Sequence, residues 1–286
     1  MNLSAEAAEE IRSFVAAHPD NGAGPVARYF DEPLVGIASG DDPLFIEYRR
    51  VIGPFHWTPR EALAAAAEGP LSVVCWVLPI SPAVRESNRP ETRYPSEQWS
   101  LTRSRGEALN VLLRRHMVDW FRNRGIAAAA PQLASEWRQI DDTPAGIAST
   151  WSERHAAYAA GLGTFSLNDG LITERGIAHR LGSVVAAVEL PATPRPERGL
   201  QGNCLYARNG SCGRCIDRCP VGALSRDGHD KRLCMEHVYG TIPREVAQRF
   251  GVQQTGCGLC QTAVPCEAIN PCRSFPDGSR GAPAPH

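Results

Sequence analysis

Cysteines crowd the last third of this 286-residue chain, where nine of the ten lie between residues 204 and 272. So many thiols in a short segment either cross-link it through disulfides or bind metal. The chain shows no secretory signal peptide, which predicts a cytoplasmic protein in a reducing compartment, where disulfides are rare. Its longest apolar run, residues 71–80, is too short to span a membrane, so no membrane partner is expected. Metal ligation is therefore the favoured interpretation.

The spacing of eight of these cysteines predicts two iron–sulfur clusters. The run Cys212–x2–Cys215–x3–Cys219–Pro220 matches most of the bacterial ferredoxin pattern C-x2-C-x2-C-x3-C-P. In two-cluster ferredoxins the last cysteine of a run binds the other cluster. We therefore expect one [4Fe–4S] cluster on Cys204, Cys212, Cys215 and Cys266, and a second on Cys219, Cys234, Cys257 and Cys260.

One ligand position departs from the ferredoxin pattern. Asn209 stands three residues before Cys212, where a cysteine is usual. We expect Cys204, the nearest thiol, to take its place; otherwise this cluster would have three protein thiolates, and an open iron site or a 3Fe–4S cluster would result. Cys272 is an alternative to Cys266 as the last ligand.

Zinc is the simpler alternative to two clusters. Cys212, Cys215, Cys257 and Cys260 alone would make a tetrahedral four-cysteine site. That interpretation leaves the other four cysteines of the pattern without a function, so iron–sulfur clusters remain favoured. Cys75 lies inside an apolar run and is interpreted as a small core residue.

Hydropathy and composition divide the chain into two folded units and a tail. Periodic apolar residues predict helices over 3–17, 95–124 and 151–160, and apolar runs predict buried strands over 71–78 and 181–190. Such a mixture is typical of an α/β domain, predicted here over 1–195. A proline-rich connector near residue 195 leads into the cysteine-rich domain, 196–275. Residues 276–286 are predicted to form a disordered tail.

Three segments together resemble a known family. These are CGRCIDRCPVGAL at 212–224 with the separate Cys234, GCGLCQ at 256–261, and ERHAAYAAGLG at 153–163. They resemble the epoxyqueuosine reductases and the reductive dehalogenases, over about residues 90–270. The resemblance implies a nitroreductase-like α/β domain that binds cobalamin, followed by a small ferredoxin-like domain with two [4Fe–4S] clusters. In these families the clusters pass electrons to the cobalamin.

The resemblance also implies a set of residues around the cobalamin. They are Gly161, Leu162, Gly163, Ser166, Ser183, Gly258, Leu259 and Gln261. Glycines would let the backbone approach the cofactor closely. A glycine pair after a helix is also a common helix C-cap, which is the alternative to cofactor contact. Flavin in a nitroreductase-like fold is the alternative cofactor.

The proton donor is where the chain departs from the epoxyqueuosine reductases. Their Arg-Asp-Tyr-His segment corresponds here to residues 99–107, which contain no aspartate. Tyr94 and Glu107 are the candidate catalytic residues, with Tyr94 favoured by analogy with dehalogenases. Glu86, in a stretch interpreted as a polar loop, is a further candidate. Each could instead serve only packing or solubility, and the pair His56–Trp57 could line the pocket or be structural.

These features predict an oxidoreductase that acts on a small molecule. The expected reaction is reduction of a C–O, C–halogen or activated C=C bond, with electrons from an external ferredoxin or flavodoxin. The net charge of −1 and the lack of the family's tRNA-binding extension make tRNA an unexpected substrate. The alternatives are an electron-transfer protein that reactivates the corrinoid of a partner, and an epoxyqueuosine reductase proper.

Overall fold

The structure is a computed structural model that describes residues 2–63, 68–143 and 145–274. The predicted disordered tail, 276–286, lies outside the described residues. Within these ranges, no helix is both long enough and apolar enough to cross a membrane.

Short strands and helices alternate along the chain. The strands are β1 (Leu34–Ser39), β2 (Ser72–Pro79), β3 (Ala128–Ala129), β4 (Gln139–Thr143), β5 (Gly146–Ser149), β6 (Gly163–Phe165), β7 (Leu171–Thr173), β8 (His179–Ala186), β9 (Leu224–Ser225) and β10 (Gly228–His229). The α-helices are α1 (Leu3–Ala17), α2 (Leu44–Val51), α3 (Pro59–Leu63), α4 (Pro82–Asn88), α5 (Glu97–Arg122), α6 (Glu153–Ala159), α7 (Leu205–Asn209), α8 (Arg214–Asp217), α9 (Lys231–Met235) and α10 (Gln248–Phe250). Single 3-10 turns cover Pro131–Leu133 and Leu259–Gln261, and π-helical turns cover Glu236–Thr241 and Pro243–Ala247.

A four-stranded antiparallel sheet forms the centre, in the order β1-β2-β8-β3. Every residue of β2 is buried, because helices cover both faces of the sheet. On one face, Trp76 and Leu78 of β2 pack in a core with α1 and α5. On the other face, Val73, Cys75 and Val77 pack in a core with α2 and α6. The chain is therefore a mixed α/β protein, and Cys75 is a core residue as predicted.

The predicted elements are present with shifted ends. Helix α1 has the predicted bounds, and α5 occupies most of the predicted 95–124, with the Ser96 side chain accepting a hydrogen bond from the backbone N–H of Trp99. Strand β8 starts two residues before the predicted 181 and ends at Ala186. The interpretation of residues 85–89 as a loop was wrong, because most of them belong to α4, which starts at Pro82, a favourable first helical residue.

The proline-rich connector lies along the edge of the sheet. The Thr193 backbone N–H donates to the Ile37 carbonyl of β1 (2.8 Å), and the Ile37 N–H donates to the Thr193 hydroxyl (2.9 Å). Farther along, the Asn203 side chain donates to the Ile172 carbonyl of β7 (2.8 Å). The cysteine-rich segment is thus attached to the α/β part by hydrogen bonds immediately before its first ligand candidate, Cys204.

Candidate metal and cofactor site

The predicted cysteine ligands fall into two groups, each at its own cavity. The first cysteine set lines a small cavity together with Ser166, Ile172, Ile177 and Val264, and consists of Cys204, Cys212, Cys215 and Cys266. The second cysteine set lines a large cavity of about 550 Å³ and consists of Cys219, Cys234, Cys257 and Cys260. This division is the one that the spacing predicts, with Cys219 in a different set from Cys212 and Cys215. Ligation itself stays a prediction.

All ten cysteines are free thiols. Cys272 is buried near Cys204 but does not line the small cavity, which Cys266 does. Among the residues that the structure describes, no group of three or more His, Cys, Asp or Glu side chains is placed to hold a metal ion.

Burial makes four of these thiols weaker acids than a free cysteine. It raises the pKa of Cys215 to about 11 and that of Cys257 to about 12, with neighbouring thiols adding to the effect at both positions. Burial also raises the pKa of Cys260 and of Cys266. These thiols hold their protons at neutral pH unless a cation replaces them, as happens when thiolates bind metal.

Two glycines let α5 pack closely against the second cysteine set. Gly256 and Gly258 flank Cys257 and have φ angles of +63° and +68°, which favour glycine. An added Cβ on Gly258 would lie 2.0 Å from the Trp99 indole, and one on Gly256 would lie 3.0 Å from Cγ of Arg103. Trp99 and Arg103 are one helical turn apart on α5, so both face this loop.

Arg218 ties the two cysteine runs to the α/β part. It stands between Cys215 and Cys219, and its Nε donates to the carbonyls of Leu259 and Thr262 (3.1 Å each). Its NH1 donates to the Glu91 carbonyl just beyond α4 (2.9 Å). One side chain thereby joins the first run, the second run and the segment after α4.

Glu267, next to Cys266, is the second such anchor. Its side chain is 7% exposed and accepts hydrogen bonds from Arg89 (2.8 Å) and from the backbone N–H of Ala263 (2.8 Å). Arg85 of α4 lies 3.7 Å away. Helix α4 therefore positions the second run.

A network of opposite charges forms one wall of the large cavity. Glu107 accepts hydrogen bonds from Arg114 (2.9 Å) and from Nε of Arg180 (2.8 Å). Arg114, only 2% exposed, also donates to Glu153 (3.2 Å). Burial alone would raise the pKa of Glu107, but Arg180 and Arg114 lower it to about 2. Glu107 thus lines the cavity as predicted, but as an ionised group rather than a proton donor at neutral pH.

Several residues implied by the resemblance lie away from the large cavity. Gly258 and Gln261 line it, and Ser166 lines the small cavity. Gly161, Leu162, Gly163, Ser183 and Leu259 are not among the described residues that line the large cavity.

The two glycines of the AGLG segment serve packing. A Cβ on Gly161 would lie 2.8 Å from the Pro194 carbonyl oxygen, and one on Gly163 would lie 2.4 Å from that of Ile172. Ser183 is buried and donates to Glu153 (2.6 Å). The sequence-based alternative, a helix C-cap, agrees with Gly161, which lies just after the end of α6 with a φ of +74°.

The other candidate site residues, Tyr94, Glu86 and the pair His56–Trp57, do not line the large cavity. The Tyr94 ring stacks on His237, a lining residue of the large cavity, with a centroid distance of 6.5 Å, but Tyr94 is not itself in the lining. The Glu86 side chain is 61% exposed on α4. His56 is 1% exposed and does not line the cavity itself, but it stacks on Trp151 (5.9 Å), which does. Trp57 packs at the edge of the same core.

Sequence analysis missed several polar residues of the large cavity. Arg103, Arg180 and His179 line it from α5 and β8. The Nε2 of His179 lies 2.7 Å from the Leu171 carbonyl, so it donates the proton and leaves Nδ1 as an acceptor, which is buried without a partner.

His229 also lines the cavity, 3.0 Å from Asp169. Burial alone would lower the pKa of His229, but hydrogen bonds to Asp169 and Cys234 raise it to about 9. In the sequence, the pair His179-Arg180 at the start of a strand was the signal that could have indicated these polar lining residues.

Comparison with known proteins agrees with the sequence motifs. No protein-family profile matches the chain. The epoxyqueuosine reductase of Bacillus anthracis is 34% identical over 119 residues, 40% of this chain and 29% of that protein. The enzyme of Bacillus subtilis is 31% identical over 120 residues, 40% of this chain and 28% of that protein. The chain resembles the epoxyqueuosine reductases. Its match spans less than a third of the length of these relatives.

Solved structures extend this resemblance to most of the chain. An epoxyqueuosine reductase solved with a tRNA-Tyr epoxyqueuosine-modified stem loop has a TM-score of 0.53 and 19% identity, and the match covers 93% of this chain and 65% of that one. The likeness establishes a shared fold with the epoxyqueuosine reductases. A catabolic reductive dehalogenase is more distant, with a TM-score of 0.48 and 16% identity, and the match covers 91% of this chain and 36% of that one.

Proposed function

We propose that this chain is a cobalamin-dependent reductase in which two [4Fe–4S] clusters supply electrons to a corrinoid. One observation carries the proposal: the second cysteine set opens into the same cavity as the charged wall of Glu107, Arg114 and Arg180. A redox centre and a polar ligand site therefore share one space. The domain plan that goes with it is a nitroreductase-like unit over 1–195 and a ferredoxin-like unit over 196–275.

The cysteine sets fit iron–sulfur clusters by their chemistry. Each set offers four thiols, the number that one [4Fe–4S] cluster requires. The raised pKa values of Cys215 and Cys257 mean that these partly buried thiols need a bound cation to become thiolates at neutral pH. Cys215 of the first set and Cys219 of the second are four positions apart in the chain, so the two sets are neighbours. Electrons entering at the first set would thus have a short route to the large cavity.

The large cavity fits a cofactor rich in amide groups. Its volume of about 550 Å³ is within the range of ligand sites. His179 belongs to the same lining, with its unpartnered Nδ1 buried beneath the cavity surface. The loop of Gly258 and Gln261 contributes backbone and an amide side chain to the same lining. When bound, cobalamin supplies a strongly reducing cobalt.

The proton source and the substrate belong to the same proposal. Glu107 is ionised and holds Arg180 in place, so its function is to position that guanidinium. Tyr94 stays the candidate proton donor through its contact with His237, which lines the cavity. The substrate is a small molecule with a reducible C–O, C–halogen or activated C=C bond, and the electron donor is a ferredoxin or flavodoxin.

The relative solved with a tRNA stem loop makes epoxyqueuosine-containing tRNA the second candidate substrate. In this chain α5 carries Arg103 in the segment that corresponds to the family's proton-donating aspartate. The absence of an aspartate from this segment favours the small molecule, and the test below separates the two.

The test is anaerobic reconstitution of the full chain with iron, sulfide and hydroxocobalamin, followed by metal analysis and a visible spectrum. We expect about eight irons and one cobalt per chain, with the cobalamin spectrum retained through gel filtration. Cys234→Ser should lose about half of the iron, whereas Cys75→Ala, which alters a core cysteine away from both cavities, should keep all of it.

Three results would contradict the proposal. Zinc in place of iron would exclude the iron–sulfur clusters. A yellow flavin spectrum would show that the cofactor is flavin and not cobalamin. Loss of cobalamin on gel filtration at full iron content would leave an electron-transfer protein. Conversion of epoxyqueuosine-containing tRNA to queuosine would confirm the cofactors and assign the second substrate.

A further inference from the structure

We propose that the large cavity holds its ligand by an anionic group, a carboxylate or a phosphate, between Arg103 of α5 and Arg180 of β8. The inference rests on the proposed function for the identity of the ligand. It rests on the structure alone for the existence of the anion site.

Both guanidinium groups are held in place by neighbours. The aliphatic part of Arg103 lies against Gly256, where an added Cβ would be 3.0 Å from Cγ and 3.5 Å from Cδ. Its guanidinium is hydrogen-bonded to the Tyr239 side chain. Nε of Arg180 donates to Glu107 over 2.8 Å. The two side chains are thus positioned before any ligand arrives, which limits the entropy lost on binding.

Positive charge is in excess at this wall. Glu107 is shared by Arg180 and Arg114, and Arg114 is also paired with Glu153. Two carboxylates therefore face three guanidiniums once Arg103 is included. Among the described residues, no carboxylate forms an ion pair with Arg103.

The positive charges of Arg103 and Arg180 repel each other. The nearby charge of Arg180, followed by burial, lowers the pKa of Arg103. Glu107 attracts both guanidiniums, but positive charge still exceeds negative charge at this wall, and such an excess of guanidiniums is a usual arrangement for binding carboxylate or phosphate. Arg154 adds further positive charge to the lining, whereas Lys231 lies 3.9 Å from the Asp169 carboxylate.

The anionic group has two chemical sources. One is the phosphodiester in the nucleotide loop of cobalamin, and the other is an acid group on the substrate. Either source gives the same contact, so the experiment must separate them. Cobinamide, a corrinoid without the phosphate and nucleotide, makes that separation.

The experiment is calorimetric titration of the full chain with inorganic phosphate, for wild type and three α5 variants. We expect Arg103→Met to weaken phosphate binding by roughly 10- to 100-fold, the usual loss for hydrogen bonds to a charged group. Arg103→Lys, which keeps the charge, should retain part of the affinity. Arg115→Met, an exposed position on the same helix, should bind as wild type. Equal affinity in wild type and Arg103→Met would overturn the proposal, as would loss of binding in Arg115→Met.

A second titration with cobalamin and cobinamide identifies the source. If Arg103→Met abolishes a preference for cobalamin over cobinamide, the phosphodiester is the anion. If both corrinoids bind the variant as they bind wild type while phosphate binding is lost, the anion is on the substrate. If neither corrinoid binds wild type, the proposed function fails, and the phosphate titration still decides whether the anion site exists.

Discussion

The Trp99 indole lies directly on Gly258, so closely that an added Cβ would be 2.0 Å from two of its ring carbons. We therefore predict that Gly258→Ala displaces the loop carrying Cys257 and Cys260. A non-glycine residue at this φ costs about 1–2 kcal/mol, and overpacking adds about 1–3 kcal/mol. The measurement is the urea midpoint together with iron content after anaerobic reconstitution, in which about half of the iron should be lost.

Gly251→Ala is the matched control for the contact with Trp99. Gly251 has a similar φ of +63°, but nothing lies within 4 Å of an added Cβ. It should show the backbone cost alone and keep its iron. Equal effects of the two substitutions would mean that contact with Trp99 does not hold the loop.

Loss of the Glu267 charge should loosen the second cysteine run. Glu267→Gln keeps the shape of the side chain but leaves Arg85 and Arg89 without their carboxylate, at a cost of about 1.5–3 kcal/mol. We expect a lower urea midpoint and poorer retention of iron at neighbouring Cys266. Glu86→Gln, at a 61% exposed side chain 3.9 Å from Arg89, should cost no more than about 1 kcal/mol. A smaller effect at Glu267 than at Glu86 would contradict this anchor.

Arg114 is predicted to be the most sensitive charged residue of the cavity wall. Arg114→Met leaves Glu107 and Glu153 without a shared partner in a buried site, which costs about 3–5 kcal/mol. The control is Arg232→Met, whose side chain is 77% exposed and pairs with an 80% exposed Asp142. Urea unfolding of both variants measures the difference. A cost below about 1 kcal/mol for Arg114→Met would mean that the network does not stabilise the fold.

Acidification should destabilise the protein through His56. Burial lowers the pKa of His56 to about 4 in the folded chain, from 6.5. Between these values the unfolded chain binds a proton that the folded chain does not. This contribution to stability is therefore complete above pH 6.5, falls by about 1.4 kcal/mol per pH unit and is gone below about pH 4.

His56→Gln tests this effect; the variant also removes the His56 charge that lowers the pKa of His155, whose ring lies 6.5 Å away. The glutamine can still accept the hydrogen bond that Ser152 donates to Nε2. Between pH 7.5 and 5, wild type should lose about 2 kcal/mol more than the variant. Parallel curves of unfolding free energy against pH would show that His56 is not kept neutral by burial.

The division of the cysteines could be predicted because much of it depends on local spacing. Cys212, Cys215 and Cys219 follow the ferredoxin spacing, in which the last cysteine of a run binds the other cluster. The extent of α5 followed from its apolar period in the same way. Helix α4 was missed because its polar sequence resembles a loop. Its buried face consists of Val84 and Asn88, which are too few to show a helical hydrophobic period.

The charged wall could not be predicted, because its members are far apart in sequence. Glu107 and Arg180 are separated by 73 residues and meet only because α5 packs on β8. The same limit applies to Gly161. A glycine pair after a helix indicates that something approaches closely, but only the fold shows that the neighbour is the carbonyl of Pro194.

The attachment of the second cysteine run to α4 bears on how a cofactor would enter. Asn88 donates to the Thr262 hydroxyl (3.1 Å), and Arg89 binds Glu267. Neither contact involves a cysteine thiol, so both can order the loop before iron binds. Zinc fingers differ in this respect, because they fold only with their metal. Insertion of a cluster would then need only a local opening of the loop. Removal of the iron should accordingly leave a folded apoprotein ready to be refilled.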